Sequence, residues 1–137
     1  MYQNDIIKRA IEQTAIMLSR IAHHKREGEL DEARAELDAA YAKLLRIDRA
    51  SFESVDSRTA AGLVGPAPAV RNVARLCRLE AELLDDAGEP VRASLKRRRA
   101  LELLLEAERL EPSTADRAEL DELRAVVPAE RLAARYR

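Results

Sequence analysis

The feature that most restricts the fold of this chain is an internal repeat, in which two segments match at an offset of 60 residues. Each segment begins with a Gly-Glu pair, at Gly28 and at Gly88. Alanines and leucines then follow at the same spacings in both segments: Ala33, Ala40, Leu44 and Leu45, and Ala93, Ala100, Leu104 and Leu105. Glycine tolerates the positive φ that ends a helix, and the small alanines allow a second helix to approach the first closely. The repeat therefore predicts two antiparallel helical hairpins, each turning at its glycine.

Long segments without glycine or proline separate these turns, and their composition favours helix. Aromatic residues make up only 3% of the chain, so alanine and leucine, the best helix formers, must also fill the core. Four long helices are predicted, at about 5–27, 31–47, 68–87 and 90–110, with shorter helices at 114–126 and 128–137. Asn4 or Asp5 is expected to cap the first helix and Asp31 the second.

The helical pattern breaks between residues 48 and 68, where serines interrupt it and a Gly-Pro-Ala-Pro run follows. This segment is predicted to be a linker, with a short helix at about 56–63, and to be the most mobile internal part. The chain is interpreted as one helical domain, 1–137. Its parts are hairpin 1 at about 4–47, the linker at about 48–68, hairpin 2 at about 69–110 and C-terminal helices at about 113–137.

A turn glycine followed by small residues in the second helix resembles the tetratricopeptide repeat. The resemblance covers about 10–47 and 70–107, although the aromatic and Leu-Gly signature early in the first helix is missing. The opening stretch from Asn4 to Gln13, with Leu18–Ile21 and Gly28, is similar to a family of small bacterial proteins of unassigned activity. That resemblance implies a cytoplasmic bacterial protein with a tetratricopeptide-like fold, and it implies no functional residue. The expected fold is all-α, with two tetratricopeptide-like antiparallel hairpins packed as a compact bundle with short C-terminal helices.

Two of the predicted long helices carry apolar arcs wider than one neighbouring helix covers. Ile16 lies roughly opposite the main stripe of the first helix, and the third helix has a second stripe beside the one that contains Cys77. Such surplus is covered either by the C-terminal helices or by another chain. We therefore expect a protein-interaction or self-assembly module that forms a homodimer. The expected contact surface consists of Ile6, Ile16, Met17, Leu76, Leu79 and Leu83.

The charged residues nearly cancel, since the net charge is −1, so no global field attracts nucleic acid or a membrane surface. The strongest local cluster is Lys96–Arg99, with arginines nearby on the same helix and on the preceding one. The candidate contacts for an anion or an acidic peptide are Arg71, Arg75, Arg92, Arg97, Arg98 and Arg99. Acidic neighbours offset this cluster and aromatic residues for base stacking are lacking, so surface ion pairs are favoured and nucleic acid is not.

No motif in the sequence indicates a catalytic, cofactor-binding or metal-binding residue. His23 and His24 are adjacent, so they point about 100° apart on a helix and do not have the spacing that lets two histidines share a metal ion. Cys77 lies on an apolar stripe without a histidine nearby in sequence, which predicts a buried, inert thiol. The glycines are isolated, which excludes a phosphate-binding loop. A non-enzymatic protein without cofactor or metal is therefore expected.

Three functions remain open at this point. The first is the self-assembling interaction module. The second is a peptide-binding adaptor that uses a groove between the hairpins, lined by Arg71, Asn72 and Arg75. The third is a weak anion or nucleic-acid binder that uses Arg92 and 97–99. A cytoplasmic location and no membrane partner are expected, because no apolar run is long enough to span a bilayer and the single cysteine fits a reducing compartment.

Overall fold

The computed structural model describes residues 2–137, with side chains described from Asp5 onward. Helices account for 83% of the structure, and the described residues form no strand, so the predicted all-α class is confirmed. The α-helices are α1 Tyr2–Arg26, α2 Leu30–Leu44, α3 Arg49–Ser54, α4 Ser57–Val64, α5 Ala67–Asp86, α6 Pro90–Leu110 and α7 Arg117–Val126. Short 3-10 turns lie at Thr114–Asp116, Ala129–Arg131 and Ala134–Tyr136.

The two repeated glycines end α1 and α5 with the same backbone geometry. Gly28 has a φ of +74° and Gly88 a φ of +76°. In each turn, the glycine N–H bonds to the carbonyl three residues earlier, and the following glutamate N–H bonds to the carbonyl five residues earlier, at 2.8–3.1 Å. This is the Schellman arrangement, in which a left-handed residue satisfies the last carbonyls of a helix. The predicted helix-ending role of both glycines is therefore confirmed.

The left-handed turn at Gly88 gives a first testable prediction. Gly88→Ala is expected to lower the free energy of unfolding by about 1 kcal/mol, because a Cβ disfavours positive φ. No atom lies within 4 Å of a Cβ built at this position, so the expected cost comes from the backbone alone. Gly62→Ala is the matched control: Gly62 lies inside α4, also with open space around it, and the change should stabilise the protein by about 0.5 kcal/mol. Urea denaturation measures both, and equal stabilities for the two variants would contradict the prediction.

Helix α5 lies at the centre of the packing. It contacts α6 along the second hairpin, and it also contacts both α1 and α2 of the first hairpin. Leu76 and Leu83, on the second apolar stripe, are buried together with Val73 and Cys77 on the first. The wide apolar arc of α5 is thus covered within this chain. Helix α6 in turn contacts α4 and α7, which places the shorter elements around the second hairpin.

The segment predicted to be a linker with a short helix at about 56–63 forms two short capped helices, α3 and, close to the predicted position, α4. Asp48 accepts a hydrogen bond from the backbone N–H of Ser51 at 2.8 Å and so caps α3. Asp56 accepts one from Thr59 at 2.7 Å and caps α4 in the same way. Phe52 of α3 is buried in the core, and several residues of α4 are buried as well. The Asp-x-x-Ser and Asp-x-x-Thr spacings were the local signal for these helices.

Two predicted caps and the predicted last helix are wrong. Helix α1 begins at Tyr2 and α2 at Leu30, so Asp5 and Asp31 lie inside the first turns instead of preceding them. Residues 128–137 form two 3-10 turns with extended backbone between them. The reason is tertiary, because the Ala133 N–H donates to the Glu102 carboxylate at 3.0 Å instead of to a helix carbonyl, and Leu132 is buried.

Candidate functional site

A cleft of about 710 Å³ opens beside α6. Three stretches of chain that are distant in sequence form its walls: 52–57 from the junction of α3 and α4, the face of α6 from Arg92 to Glu102, and 130–137. They meet because α4 packs on α6 and because 130–137 is bound to α6 by hydrogen bonds. We call this site the α6 cleft.

The lining of the α6 cleft is more basic than acidic. Its acidic side chains are Glu53, Asp56, Glu102 and Glu130, and its basic side chains are Arg92, Lys96, Arg98, Arg99, Arg131, Arg135 and Arg137. This local excess contrasts with the net charge of the whole chain, which is −1. The fold has therefore gathered positive charge that the sequence spreads over two separate regions.

Some of these cations are held by the protein itself. Arg99 donates to the Phe52 carbonyl at 2.5 Å and to the Ser57 hydroxyl at 3.1 Å, and its guanidinium lies 4.9 Å from the centre of the Phe52 ring. Lys96 pairs with Glu53 and lies 3.6 Å from the Glu80 carboxylate. Both side chains hold α3 against α6, so their role in the cleft is structural.

Three other cations have no such partner. Within residues 5–137, the side chains of Arg98, Arg131 and Arg135 make no ion pair and no hydrogen bond, and all three are exposed. Arg92 is exposed as well, but it pairs with Glu89 at 3.0 Å. The α6 cleft thus presents three guanidinium groups whose donors face solvent. Guanidinium groups of this kind bind carboxylates and phosphates through paired hydrogen bonds.

The third wall of the cleft, residues 130–137, is bound to two buried glutamates of α6. Glu102 accepts from the Ser57 hydroxyl at 2.7 Å and from the Ala133 N–H at 3.0 Å. Glu106 accepts from the Tyr136 hydroxyl at 2.7 Å. Both glutamates are buried, although their i,i+4 spacing on one helix is typical of a solvated face. The sequence does contain a sign of this burial. The leucines at 101 and 103–105 place apolar side chains around the helix, which indicates that it is buried on more than one side.

Glu106 makes the stability of this wall depend on pH. Burial raises the pKa of Glu106, but hydrogen bonds from Tyr136 and Arg109 outweigh that effect and hold the pKa below its ordinary value of 4.5. Because the pKa is lower in the folded state, the stabilisation is complete above about pH 4.5 and is lost as the pH falls through the lowered value.

We therefore expect Glu106→Gln to show a shallower loss of unfolding free energy below pH 4.5 than the wild-type protein. Urea denaturation at a series of values from about pH 7 to about pH 3 measures this slope. Glu12→Gln is the control, since Glu12 is exposed on α1. An acid slope identical to wild type in Glu106→Gln would show that Glu106 does not couple to folding.

The structure does not bring the predicted anion contacts together in one place. Arg92, Arg98 and Arg99 line the α6 cleft, and Arg97 pairs with Asp85 outside it. Arg71 and Arg75 lie elsewhere, since both pair with the buried Asp116, at 2.6 and 3.3 Å. Arg131 and Arg135 were not among the predicted contacts, because nothing in the sequence places residues 128–137 beside α6.

The residues expected to line a groove between the hairpins form contacts within this chain. The Asn72 amide donates to the Ile11 carbonyl at 3.1 Å and to the Thr14 hydroxyl at 3.0 Å. Arg71 is buried and donates to the Glu111 carbonyl as well as to Asp116. Arg71, Asn72 and Arg75, the residues expected to line a peptide groove, thus all bind other parts of this chain.

The predicted apolar contact surface is mostly core. Met17, Leu76 and Leu83 are buried within the chain, and Leu79 is partly buried. Only Ile6 and Ile16 are exposed, at 50% and 56%. The difference arises because α5 has neighbours on several sides, so a second apolar stripe does not require a second chain.

Cys77 is buried beside Tyr41 and Glu80, as the prediction of a buried thiol requires. The Tyr41 hydroxyl donates to the Glu80 carboxylate at 2.8 Å and lies 3.3 Å from the Cys77 sulfur. Burial raises the pKa of the Cys77 thiol to about 11. The thiol therefore stays protonated at neutral pH, which makes it a poor nucleophile.

The part of the chain from residue 5 onward contains no cluster of three or more His, Cys, Asp or Glu side chains arranged to hold a metal ion. None of the described helices combines the length and the apolar character that crossing a membrane requires. Comparison of the sequence and structure with protein-family profiles, curated proteins and solved structures finds no match.

Proposed function

We propose that this protein is a non-enzymatic interaction module that binds a carboxylate-bearing protein segment in the α6 cleft. The observation that carries the proposal is the gathering of Arg98, Arg131 and Arg135 in one cleft without acidic partners among residues 5–137. Several arginines elsewhere are paired with carboxylates; Arg78, for example, bonds to Glu119 and Glu122. Unpaired guanidinium groups that converge in a cleft can bind carboxylates through two parallel hydrogen bonds each.

The other side chains of the α6 cleft favour a protein partner over nucleic acid. Glu53, Asp56 and Glu130 lie in its walls and would repel a continuous phosphate backbone. The Tyr136 ring is partly buried, and its hydroxyl is bound to Glu106, so it offers no open platform for base stacking. A peptide can place its carboxylates beside the arginines and keep neutral residues beside the glutamates.

Binding of short peptides tests this proposal. Fluorescein-labelled peptides rich in Glu and Asp are titrated with the full chain at low salt, and fluorescence polarisation reports binding. We expect the acidic peptides to bind, and the double variant Arg98→Glu/Arg131→Glu to weaken binding by about tenfold or more, since each tenfold corresponds to about 1.4 kcal/mol. Raising the salt should weaken wild-type binding as well.

The matched control is Arg34→Glu, which reverses an exposed charge on α2, outside the α6 cleft. It should bind the acidic peptides as the wild-type protein does. A lysine-rich peptide and a single-stranded oligonucleotide complete the set of probes. The proposal is wrong if no acidic peptide binds, if Arg34→Glu weakens binding as much as the cleft variant, or if the oligonucleotide binds more tightly than every peptide.

We also keep the homodimer and the tetratricopeptide-like arrangement as proposals. Packing of α5 on both α1 and α2 is what stacking of consecutive hairpins requires, and this supports the tetratricopeptide-like arrangement. In the proposed homodimer, the contact between chains is formed by Ile6 and Ile16, the exposed isoleucines of α1. Light scattering after gel filtration should show a dimer that Ile6→Asp/Ile16→Asp converts to a monomer. A monomeric wild-type protein at all concentrations would contradict the homodimer.

A further inference from the structure

We infer that the partner is a linear segment in which acidic residues flank an apolar side chain, and that a smaller pocket next to the α6 cleft receives this side chain. The inference rests on the proposed function and specifies what binds there. The pocket has a volume of about 140 Å³, which suits a single side chain. It lies between α6 and the end of α7. Apolar residues form one half of its lining and polar residues the other: Leu95, Val126, Val127 and Pro128, and Ser94, Arg97, Arg98 and Arg131.

The pocket and the α6 cleft form one continuous surface. Leu95, Arg98 and Arg131 line both of them. Two of the three unpaired guanidinium groups of the cleft therefore stand at the boundary between the pocket and the α6 cleft. A peptide that binds these two arginines through its carboxylates holds its neighbouring side chains beside the pocket.

The apolar lining of the pocket is exposed in the isolated chain. Leu95 is 55% exposed and Val126 is 60% exposed. Val91, one turn before Leu95 on α6, is also exposed and extends the apolar strip. Val127, in contrast, is buried and ties the pocket to the core of the protein. An apolar side chain inserted between Leu95 and Val126 would remove apolar surface of both partners from water, which stabilises the complex.

Charge complementarity favours an acidic segment of another protein over a second copy of this chain. In a two-fold symmetric dimer, the same surface of both copies meets itself. Contact through the pocket would then bring Arg98 and Arg131 of one copy near the same arginines of the other. Like charges at an interface oppose association, whereas carboxylates beside these arginines favour it.

Three matched peptides test the apolar anchor. The first carries a central leucine flanked by Glu and Asp, the second replaces this leucine by serine, and the third keeps the leucine but replaces the acids by Gln and Asn. We expect the first peptide to bind most tightly. Replacing the central leucine of the peptide by serine should weaken binding by about tenfold, and so should Leu95→Ser in the protein. This is the effect expected from losing the burial of one leucine side chain. Combining the two changes should add little, because both remove the same contact.

Leu110→Ser is the control variant, since Leu110 is a similarly exposed leucine of α6 that lies outside both cavities. Circular dichroism checks that the variants keep their helical content. Equal binding of the leucine and serine peptides to the wild-type protein would overturn the anchor, as would equal effects of Leu95→Ser and Leu110→Ser. In either case, continued weakening by Arg98→Glu/Arg131→Glu would leave the proposed function intact. Absence of binding by all acidic peptides would instead overturn the proposed function itself.

Discussion

Leu76→Ala is expected to lower the free energy of unfolding by about 3 kcal/mol, a typical cost of removing a buried leucine side chain. Leu76 is fully buried on α5, the helix that contacts α1, α2 and α6. Because neighbours surround α5 on several sides, the structure cannot easily collapse into the space that the truncated side chain leaves. The cost should therefore include a cavity contribution as well as the lost burial.

Ile16→Ala is the comparison, since Ile16 belongs to the same surface predicted from sequence but is 56% exposed on α1. Its free energy of unfolding should stay within about 0.5 kcal/mol of wild type. Urea denaturation followed by circular dichroism measures both variants at several protein concentrations. If Leu76 lay at a contact between chains, Leu76→Ala would change the concentration dependence of unfolding and would leave an isolated chain as stable as before.

Asp116→Ala should destabilise the protein by about 3 kcal/mol, because it removes the nearest carboxylate from the buried Arg71 guanidinium. Asp116 is 1% exposed and accepts a hydrogen bond from Arg71 Nε at 2.6 Å and one from Arg75 Nη2 at 3.3 Å. Without this carboxylate, the buried Arg71 guanidinium keeps the Glu111 carbonyl and the more distant Glu111 carboxylate, at 3.7 Å. The ion pair also ties the start of α7 to α5, so its loss should loosen the packing of α7.

Glu122→Ala provides the matched control, because Glu122 also accepts from an arginine of α5, Arg78, at 2.5 Å. The Glu122 side chain is 61% exposed, however, and exposed ion pairs contribute about 0–1 kcal/mol. Thermal and urea unfolding of the two variants compare a buried and an exposed ion pair between the same regions. Similar losses in both variants would mean that Asp116 is not buried as described.

Local sequence was sufficient to predict the main helices and their turns. Gly28 and Gly88 adopt positive φ, and α6 spans Pro90–Leu110 as predicted. These features follow from conformational preferences of individual residues, which act over a few neighbours and so can be recognised in the sequence. The caps Asp48 and Asp56 belong to the same class: the helix that Asp56 caps was predicted at about 56–63, whereas the serine-containing composition of the segment concealed the one that Asp48 caps.

The α6 cleft could not be predicted in this way, because its walls come from parts of the chain far apart in sequence. Arg98 and Arg131 are neighbours only because 130–137 is held on α6 through Glu102 and Glu106. Arg71 and Arg75 resembled the cleft arginines in the sequence, yet Asp116 neutralises them. Whether an arginine is available to a partner depends on which carboxylates the fold brings within about 4 Å, and a helical pattern carries no information on that.

The sequence alone thus determined the two long hairpins, their turns at Gly28 and Gly88, and the apolar faces through which the helices pack. Tertiary structure alone decided which apolar faces are covered and which arginines remain unpaired. The apolar arc of α5 is buried by α1, α2 and α6, whereas Leu95 of α6 stays exposed beside Arg98. The physical reason is that helix formation depends on short-range preferences, while burial and charge pairing depend on the long-range contacts that close the bundle.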